Sequence, residues 1–365
     1  MLTNQTPSKV RRKLTPALSI LYQPRDRQWS YSHHAAICKF QGRYYVMWSN
    51  GERDEDDLRQ RVLFACSEDG VHWSAHRTLY PSQEGRVLTA CGFHCYQGVL
   101  VAYAGSYGYA PENVENGRYR VINDFHEHTT LLARTSTDGE HWSEPKDLHL
   151  PIVANHGPQR LRSGRLLLSG SITYPYTDDP TGLSGWQVRG LTPCPWLDLA
   201  DDSQGIMRHI ALRGDNVLLC EGSFFQTEDE AIHMLLRSDQ RRLYETVSVD
   251  QGETWSEAQP TDFVTCNTKF HMGRLPDGRY YHVGSPDPTG ARCPLVLSLS
   301  KDGVVFDQEY ILDETYRPLR NPGKYKGGIY GYPHSLIDGD RMYVVCSVNK
   351  EDIHLYAFDL ANLKS

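Results

Sequence analysis

Basic residues are a minority in this chain of 365 residues, where 38 Lys and Arg stand against 45 Asp and Glu and give a net charge of −7. Binding to nucleic acid phosphates requires a basic face, so this balance argues against nucleic acid as a partner. The first 20 residues contain no apolar run of the length that a signal peptide or a membrane span requires. We therefore expect a cytoplasmic protein without a nucleic acid or membrane partner.

Paired cysteine spacing is also missing. The nine Cys are an odd number, the pattern C-x₂-C does not occur, and only Cys91 and Cys95 in "CGFHC" approach a metal-binding motif. Buried thiols in a reducing compartment account for such a set better than zinc or disulfides do. A chain of this length buries enough surface to be stable without cross-links. We expect neither a metal site nor a cofactor.

Helical periodicity is scarce, and a short phrase recurs four times in its place. The four copies are "SEDGVHW" (Ser67–Trp73), "STDGEHW" (Ser136–Trp142), "SVDQGETW" (Ser248–Trp255) and "SKDGVVF" (Ser300–Phe306). In such a box the Asp accepts backbone N–H groups, the Gly adopts a positive φ and the final aromatic residue packs under a neighbouring strand. The box carboxylates are therefore predicted to be structural and not catalytic; they are Asp69, Asp138, Asp250 and Asp302.

The segments around the boxes predict the fold. Each box follows strands that are rich in Tyr and Val and are joined by Gly turns, the pattern of β-hairpins. Repeats of roughly 40 to 60 residues with four short strands are typical of propeller blades. The boxes start 69, 112 and 52 residues apart, and the widest interval leaves room for a blade without a box that begins near 155–170. We predict an all-β protein, a six-bladed β-propeller with four-stranded antiparallel blades.

The predicted domain organisation is simple. Residues 1–20 form an N-terminal extension and residues 21–365 a single propeller domain. The segment "LSILYQ" (18–23) can supply the strand that closes the ring. A seventh blade would require residues 185–213 to fold as an additional unit.

The boxes resemble the Asp-box repeats of the sialidase-like six-bladed propellers. In "LCEGSFFQTEDEAIHMLLRSDQ", Glu221 is followed by Arg237 ahead of a box, as in the sialidase segment with an inner-strand Glu and a substrate-binding Arg. Arg292 stands where that family has another substrate-binding Arg. "GGIYGYPHSL" resembles the stretch that holds the sialidase nucleophile, which indicates Tyr330, with Tyr332 as the alternative.

The first half of the chain departs from the sialidase pattern. His33 and His34 in "SHHAAI" stand where the family has the first Arg of a three-Arg clamp for the substrate carboxylate. The family's acid, an Asp on the following loop, has three candidates in "NGERDEDDLRQ", namely Asp54, Asp56 and Asp57. The resemblance, which covers about residues 32–356, implies an exo-acting glycosidase that removes a terminal acidic sugar, sialic or uronic acid, from an oligosaccharide.

Two other functions remain open. Six His fall near the starts of successive units, where they would line the central channel: His33, His34, His94, His156, His271 and His334. With Tyr and Arg, such His suit β-elimination at a uronic acid, the reaction of a polysaccharide lyase. The third possibility is a non-catalytic carbohydrate-binding propeller. The loop "SITYPYTDDPTGLSGW" offers aromatic and polar candidates for sugar contacts, namely Tyr174, Tyr176, Asp178, Asp179 and Trp186.

Overall fold

The computed structural model describes residues 1–365 except 26, 110–113, 116–117, 120–125, 192–207, 213–214 and 365. The described part is almost entirely β-structure. Its helical content is a single 3₁₀ turn at Leu360–Asn362. No helix among the described residues has the length and hydrophobicity that crossing a bilayer requires.

The described chain forms 27 strands. The first nine are β1 (Val10–Lys13), β2 (Ala17–Tyr22), β3 (Tyr31–Phe40), β4 (Arg43–Gly51), β5 (Arg61–Ser67), β6 (Arg77–Tyr80), β7 (Val87–Tyr96), β8 (Val99–Gly108) and β9 (Val114–Glu115). The next nine are β10 (Arg118–Tyr119), β11 (Glu127–Ser136), β12 (Lys146–Asp147), β13 (Gln159–Arg160), β14 (Leu166–Leu167), β15 (Tyr176–Thr177), β16 (Arg208–Leu212), β17 (Asp215–Gln226) and β18 (Ile232–Ser238). The last nine are β19 (Arg242–Ser248), β20 (Gln259–Val264), β21 (His271–Arg274), β22 (Tyr280–Gly284), β23 (Leu295–Ser300), β24 (Phe306–Asp313), β25 (Tyr330–Asp338), β26 (Arg341–Val348) and β27 (Asp352–Asp359).

In the described part of the chain, six sheets of three to five strands follow one another in sequence. In order they contain β3 to β6; β7, β8, β11 and β12; β13 to β15; β16 to β20; β21 to β24 with β1; and β25 to β27 with β2. Strands β9 and β10 form a separate two-stranded hairpin. Within the six sheets the pairings are antiparallel, except that β1 runs parallel to β24. We number these sheets one to six.

The core lies between neighbouring sheets. One buried hydrophobic cluster joins sheets one and two, and further clusters join each sheet to the next up to sheet six. A last cluster joins sheet six back to sheet one, where Val345 and Leu355 pack with Ile37 and Val46. The first strands contact one another accordingly, since β3 contacts both β7 and β25. The six sheets are therefore packed in a closed ring.

The ring is closed by a strand from the start of the chain, as "LSILYQ" predicted. Strand β2 pairs antiparallel with β27, and Ser19 lies opposite Leu355. The seventh unit considered from the sequence falls mostly outside the described residues, which do not include 192–207 and 213.

The Asp boxes are turns between strands that are consecutive in the chain, namely β5 and β6, β11 and β12, β19 and β20, and β23 and β24, and their carboxylates act as predicted. Asp69 Oδ1 accepts the backbone N–H of Val71 and of His72, each at 2.8 Å. Asp302 accepts the N–H of Val304 at 2.8 Å and the hydroxyl of Ser300 at 2.8 Å. These hydrogen bonds stabilise the turns, which confirms the structural reading of the boxes.

Candidate active site

A pocket of about 210 Å³ opens where the first strands of several sheets meet. Its walls carry an unusual number of charged groups for so small a volume. They are four cations and three carboxyl groups, namely Arg237, Lys269, Arg292, Lys350, Glu55, Asp56 and Glu221. The cations outnumber the carboxyl groups, so the pocket suits an anionic ligand.

Matching β-bulges direct three side chains towards this pocket. The pairing of a strand with the next one shifts by one residue at His34 in β3, at Glu221 in β17 and at Tyr332 in β25. Each of the three has a left-handed backbone, with φ of 55°, 52° and 54° respectively. A bulge interrupts the alternation of side chains along a strand and re-aims one of them. The same local device therefore brings residues of three different sheets to one site.

Tyr332, Glu221 and Arg237 form the centre of the site. The Tyr332 hydroxyl donates a short hydrogen bond to Glu221 Oε1. Arg237 Nη1 donates to Glu221 Oε2 at 2.5 Å and to the Tyr332 hydroxyl at 3.1 Å. One carboxylate thus receives a phenol and a guanidinium, an arrangement in which Glu221 can take the Tyr332 proton.

The surroundings of these groups set their protonation states. Burial alone would raise the pKa of Glu221, but the charge of Arg237 and the hydrogen bond from Tyr332 outweigh it and lower that pKa. Burial, reinforced by the charge of Glu221, raises the pKa of Tyr332 well above its usual value. Glu221 is therefore ionised and Tyr332 is a neutral phenol in the resting site.

Asn267 holds Arg292 beside Arg237. Asn267 accepts a short hydrogen bond from Arg237 Nε through its side chain, and its backbone carbonyl accepts Arg292 Nη2 at 3.2 Å. Arg292 Nη1 is buried and, among the described residues, has no hydrogen-bond partner. No described carboxylate pairs with Arg292, so its guanidinium is available to a ligand anion.

Asp56 is the carboxyl group that is suited to donate a proton. Its Oδ1 accepts the Tyr107 hydroxyl at 2.5 Å. Burial, together with the nearby charge of Glu55, raises the pKa of Asp56 to about 7. Close to neutral pH this group is present in both protonated and ionised forms, which is what general acid catalysis requires.

Two Lys complete the charge of the pocket. Lys350 forms a short ion pair with Glu55 Oε2. Lys269 is 2% exposed and donates to the backbone carbonyl of Asn155 at 2.7 Å, without a carboxylate partner among the described residues. Burial lowers the pKa of Lys269 to about 8.

The structure moves the candidate nucleophile from Tyr330 to Tyr332. The Tyr330 hydroxyl points away from the pocket and donates to the Thr315 carbonyl at 3.0 Å, within the hydrophobic cluster between sheets five and six. The two residues differ because the bulge lies at Tyr332, while Tyr330 occupies a regular strand position.

The three candidate acids are likewise separated. Asp54 accepts backbone N–H groups of Lys324 and Tyr325, and Asp57 accepts those of Arg53 and Asp54. Both carboxylates thus hold loops together and lie outside the pocket. Asp56, with its left-handed backbone at φ 58°, faces the pocket between them.

Of the six candidate His, the structure places only His34 on the pocket wall. His33 is buried behind it, and its ring centroid lies 3.9 Å from that of Tyr332. His94 is bound to the Pro180 carbonyl at 2.8 Å. The remaining three cluster deeper in the ring, with centroids 4.3 to 5.2 Å apart, and are His156, His271 and His334.

The candidate sugar-binding loop lies away from the pocket. The Tyr176 hydroxyl donates to Glu253 at 2.5 Å, and the Trp186 indole donates to the Gly182 carbonyl at 3.2 Å. Tyr174 packs against Trp255, Asp178 pairs with Arg165, and Asp179 accepts the N–H of Thr181. These side chains stabilise their own loop and sheet, so the structure gives their predicted sugar contacts no support.

Several pocket residues were not foreseen from the sequence. Glu55 lies inside the acidic run "ERDEDD", whereas Lys269, Lys350 and Tyr107 belong to no motif. Glu55 and Lys350 are 295 residues apart and meet only because sheets one and six close the ring. A Lys just ahead of an inner strand, as in "NTKFH", is the one local signal that could have indicated Lys269.

The fold is similar to those of solved sialidases at low sequence identity. An intramolecular trans-sialidase from Ruminococcus gnavus, solved with oseltamivir carboxylate, aligns with a TM-score of 0.68 and 14% identity over 95% of this chain and 98% of that one. The NanB sialidase from Streptococcus pneumoniae aligns with a TM-score of 0.67 and 13% identity over 95% of this chain and 71% of that one. A Dyadobacter fermentans protein of unknown function aligns with a TM-score of 0.66 and 16% identity over 97% of this chain and 100% of that one.

Sequence comparison gives a consistent assignment at the level of the family. None of the curated proteins matches this chain. The family model for the BNR repeat-like domain matches residues 42–345, which include all four boxes as well as Glu221, Arg237 and Tyr332. The chain therefore belongs to the BNR repeat-like domain family, as a diverged sialidase-like member.

Proposed function

We propose that the protein is a single-domain, six-bladed β-propeller glycosidase that removes a terminal acidic sugar from an oligosaccharide. The six sheets would be the blades, and the pocket would hold the sugar acid. The observation that carries the proposal is the contact of Tyr332 with both Glu221 and Arg237 in a cationic pocket that also contains Asp56.

The anionic substrate explains why a phenol would act as the nucleophile. A sugar acid whose anomeric carbon bears a carboxylate repels a carboxylate nucleophile, whereas a neutral phenol is not repelled. As the Tyr332 oxygen bonds to the anomeric carbon, its proton passes to Glu221 Oε1, with which it is already hydrogen-bonded. Arg237 donates to both groups and stabilises the charge that moves between them.

The leaving group takes its proton from Asp56. Once Asp56 is ionised, it can accept a proton from water, whose oxygen attacks the anomeric carbon. The bond from that carbon to Tyr332 breaks, and the Tyr332 oxygen takes its proton back from Glu221. Arg292 would bind the substrate carboxylate, because its guanidinium is buried in the pocket wall without a described carboxylate partner.

Elimination is the second candidate reaction, and the position of His34 favours it. The His34 ring lies on the pocket wall with its centroid 5.0 Å from that of Tyr332. In a lyase, His34 would take the C5 proton of a uronic acid while Arg292 neutralises its carboxylate and Asp56 protonates the leaving oxygen. Such a reaction forms an unsaturated sugar and takes up no water.

A product analysis in ¹⁸O water tests the proposal. Purified protein is incubated with sialosides and with uronic acid oligosaccharides, and the products are weighed by mass spectrometry. Incorporation of one ¹⁸O into the released sugar is the expected result. An unlabelled product that is lighter by one water would replace hydrolysis by elimination, and the absence of any product would leave carbohydrate binding without catalysis.

A matched pair of Tyr variants tests the role of Tyr332. We expect Tyr332→Phe to lower kcat by at least 10²-fold, because the nucleophile is lost. Tyr330→Phe removes a hydroxyl that is bound to a backbone carbonyl outside the pocket and serves as the control. Equal activity of the two variants would contradict the proposed mechanism. Far-UV circular dichroism establishes that both variants are folded.

A further inference from the structure

The bulge in β3 turns two consecutive His towards the same carboxylate. Neighbours on a regular strand point to opposite faces, but the left-handed His34 brings the two rings to a centroid distance of 4.7 Å. His33 Nε2 lies 3.9 Å and His34 Nε2 lies 4.0 Å from Glu55 Oε1. The three atoms converge without hydrogen bonds among them.

The hydrogen bonds of His33 leave a lone pair facing this space. Ser347 Oγ donates to the Gly331 carbonyl at 3.2 Å, so it accepts from His33 Nδ1, which lies 2.6 Å away. Since the proton of the neutral ring is on Nδ1, Nε2 carries a lone pair. The His33 side chain is fully buried, and Nε2 has no hydrogen-bond partner among the described residues.

His33 Nε2 and Glu55 Oε1 are both acceptors, and they face each other at 3.9 Å across a buried space. They repel each other unless a positive group lies between them. Lys350 contacts the other oxygen of Glu55, Oε2, whereas Oε1 accepts the Tyr31 hydroxyl at 3.4 Å and keeps a second lone pair for the two rings.

We propose that His33, His34 and Glu55 bind a zinc-like transition metal ion through Nε2, Nε2 and Oε1. Two His and one Glu are a known donor set for catalytic zinc, and the hydrogen bond from His33 Nδ1 to Ser347 is the outer contact that such a ligand usually makes. Zn–N and Zn–O bonds of about 2.0 Å place tetrahedral ligand atoms roughly 3.3 Å apart. The two separations from Glu55 Oε1 exceed that value by about 0.6 to 0.7 Å, and all three donor atoms lie within 4.8 Å of one another, so side-chain rotations are sufficient to bring them to bonding distance of one ion.

The neighbouring cations restrict the choice of metal. Lys350, Arg292 and Lys269 all act electrostatically on His33 and oppose a second positive charge. Ca²⁺ and Mg²⁺ prefer oxygen ligands, whereas Zn²⁺ binds imidazole strongly enough to compete. His34 and Glu55 line the pocket, so the fourth position of the ion faces the bound ligand. If the proposed function holds, the ion takes part in binding the sugar acid.

The second His cluster provides a contrast within the same chain. His334 Nδ1 accepts the Ile37 N–H at 3.3 Å. His271 Nδ1 accepts the Ser335 N–H at 3.1 Å, and the side-chain amide of Gln159 occupies its Nε2 at 3.3 Å. A neutral ring that accepts at Nδ1 carries its proton on Nε2, which then has no lone pair for a metal. This cluster is therefore expected to bind no zinc.

Calorimetric titration of EDTA-treated, tag-free protein with ZnCl₂ tests the site. We expect one Zn²⁺ per chain, binding at least tenfold weaker in Glu55→Gln and His34→Ala, and an unchanged affinity in His334→Ala. Ser347→Ala keeps all three ligands but removes the outer hydrogen bond, and is expected to weaken binding about tenfold. Circular dichroism establishes that each variant is folded.

The Co²⁺ complex of the wild-type protein gives a readout that is independent of the variants, since ligand-field absorption in the visible range reports N and O ligation. No Zn²⁺ binding by the wild-type protein would overturn the proposal. Binding that His334→Ala abolishes and His34→Ala leaves intact would overturn it as well. Neither measurement involves turnover, so a failure of the proposed hydrolysis would leave the metal result unaffected.

Discussion

The pH dependence of turnover is the sharpest test of Asp56 as the proton donor. Burial and the charge of Glu55 raise its pKa to about 7, so at pH 6 about nine in ten Asp56 side chains are protonated. An Asp with the usual pKa of about 3.9 would be protonated in fewer than one molecule in a hundred at that pH. Because the acid must be protonated to act, kcat/KM is expected to fall about tenfold per pH unit above pH 7.

Tyr107 provides a perturbation with a definite sign. Its hydroxyl donates to Asp56 Oδ1 at 2.5 Å, which stabilises the ionised carboxylate and lowers the pKa of Asp56. Tyr107→Phe removes this donor, so the pKa rises and the alkaline limb of the kcat/KM profile moves to higher pH. Asp56→Asn is expected to lower kcat by 10²- to 10⁴-fold and to abolish that limb.

A second variant is expected to move the limb in the opposite direction. Asp54 lies outside the pocket, but its charge raises the pKa of Asp56, so Asp54→Asn is expected to lower that pKa and to move the limb to lower pH. A limb that moves in the same direction in Asp54→Asn and Tyr107→Phe, or in neither variant, would refute the assignment of Asp56. Initial rates between pH 5 and pH 9 are sufficient to decide.

Three further predictions concern other parts of the molecule. Burial lowers the pKa of Lys269 to about 8, so the affinity for a sugar acid, measured by calorimetry, should decrease above pH 8 as the Lys269 charge is lost. Lys269→Arg keeps its charge and should keep its affinity above pH 8. The same decrease in both proteins would contradict a role for Lys269 in binding. Asn267→Ala removes the acceptor of Arg237 Nε and should raise KM more than it lowers kcat in steady-state kinetics. A larger effect on kcat than on KM would place Asn267 in the chemical step. Asp302→Ala removes hydrogen bonds from Ser300 and two backbone N–H groups, and should lower the free energy of unfolding by about 1 to 2 kcal/mol with unchanged turnover; an unchanged denaturant midpoint would show that the box does not stabilise the turn.

The fold was accessible from the sequence because its signals are local. An Asp box is a turn of about eight residues whose hydrogen bonds run between near neighbours, as between Asp69 and Val71. Its recurrence along the chain predicts repeated sheets without any knowledge of their packing. The closing strand β2 was predictable for a related reason, since a ring of blades leaves one edge that a strand from the start of the chain can fill.

The site was only partly accessible because it depends on backbone geometry and on ring closure. Tyr330 and Tyr332 are two residues apart, and strand alternation alone places both on one face. The bulge separates them, and "GGIYGYPHSL" contains nothing that fixes its position. Similarly, Lys350 is one of three consecutive charged residues at a hairpin turn, and its approach to Glu55 follows from the packing of sheet six against sheet one.

The distribution of backbone strain supports the pocket as a functional site on grounds independent of any resemblance. Among the described residues other than Gly, sixteen have a positive φ, and six of these line the pocket: His34, Asp56, Glu221, Arg292, Tyr332 and Lys350. A left-handed conformation costs a residue with a side chain roughly 1 to 2 kcal/mol, and Gly would avoid most of that cost. Gly at these positions would remove the charged, phenolic and imidazole groups that converge there. The fold thus retains side chains at positions where stability favours Gly. A concentration of strained residues around one pocket is expected where chemistry, and not packing, determines which residue is present.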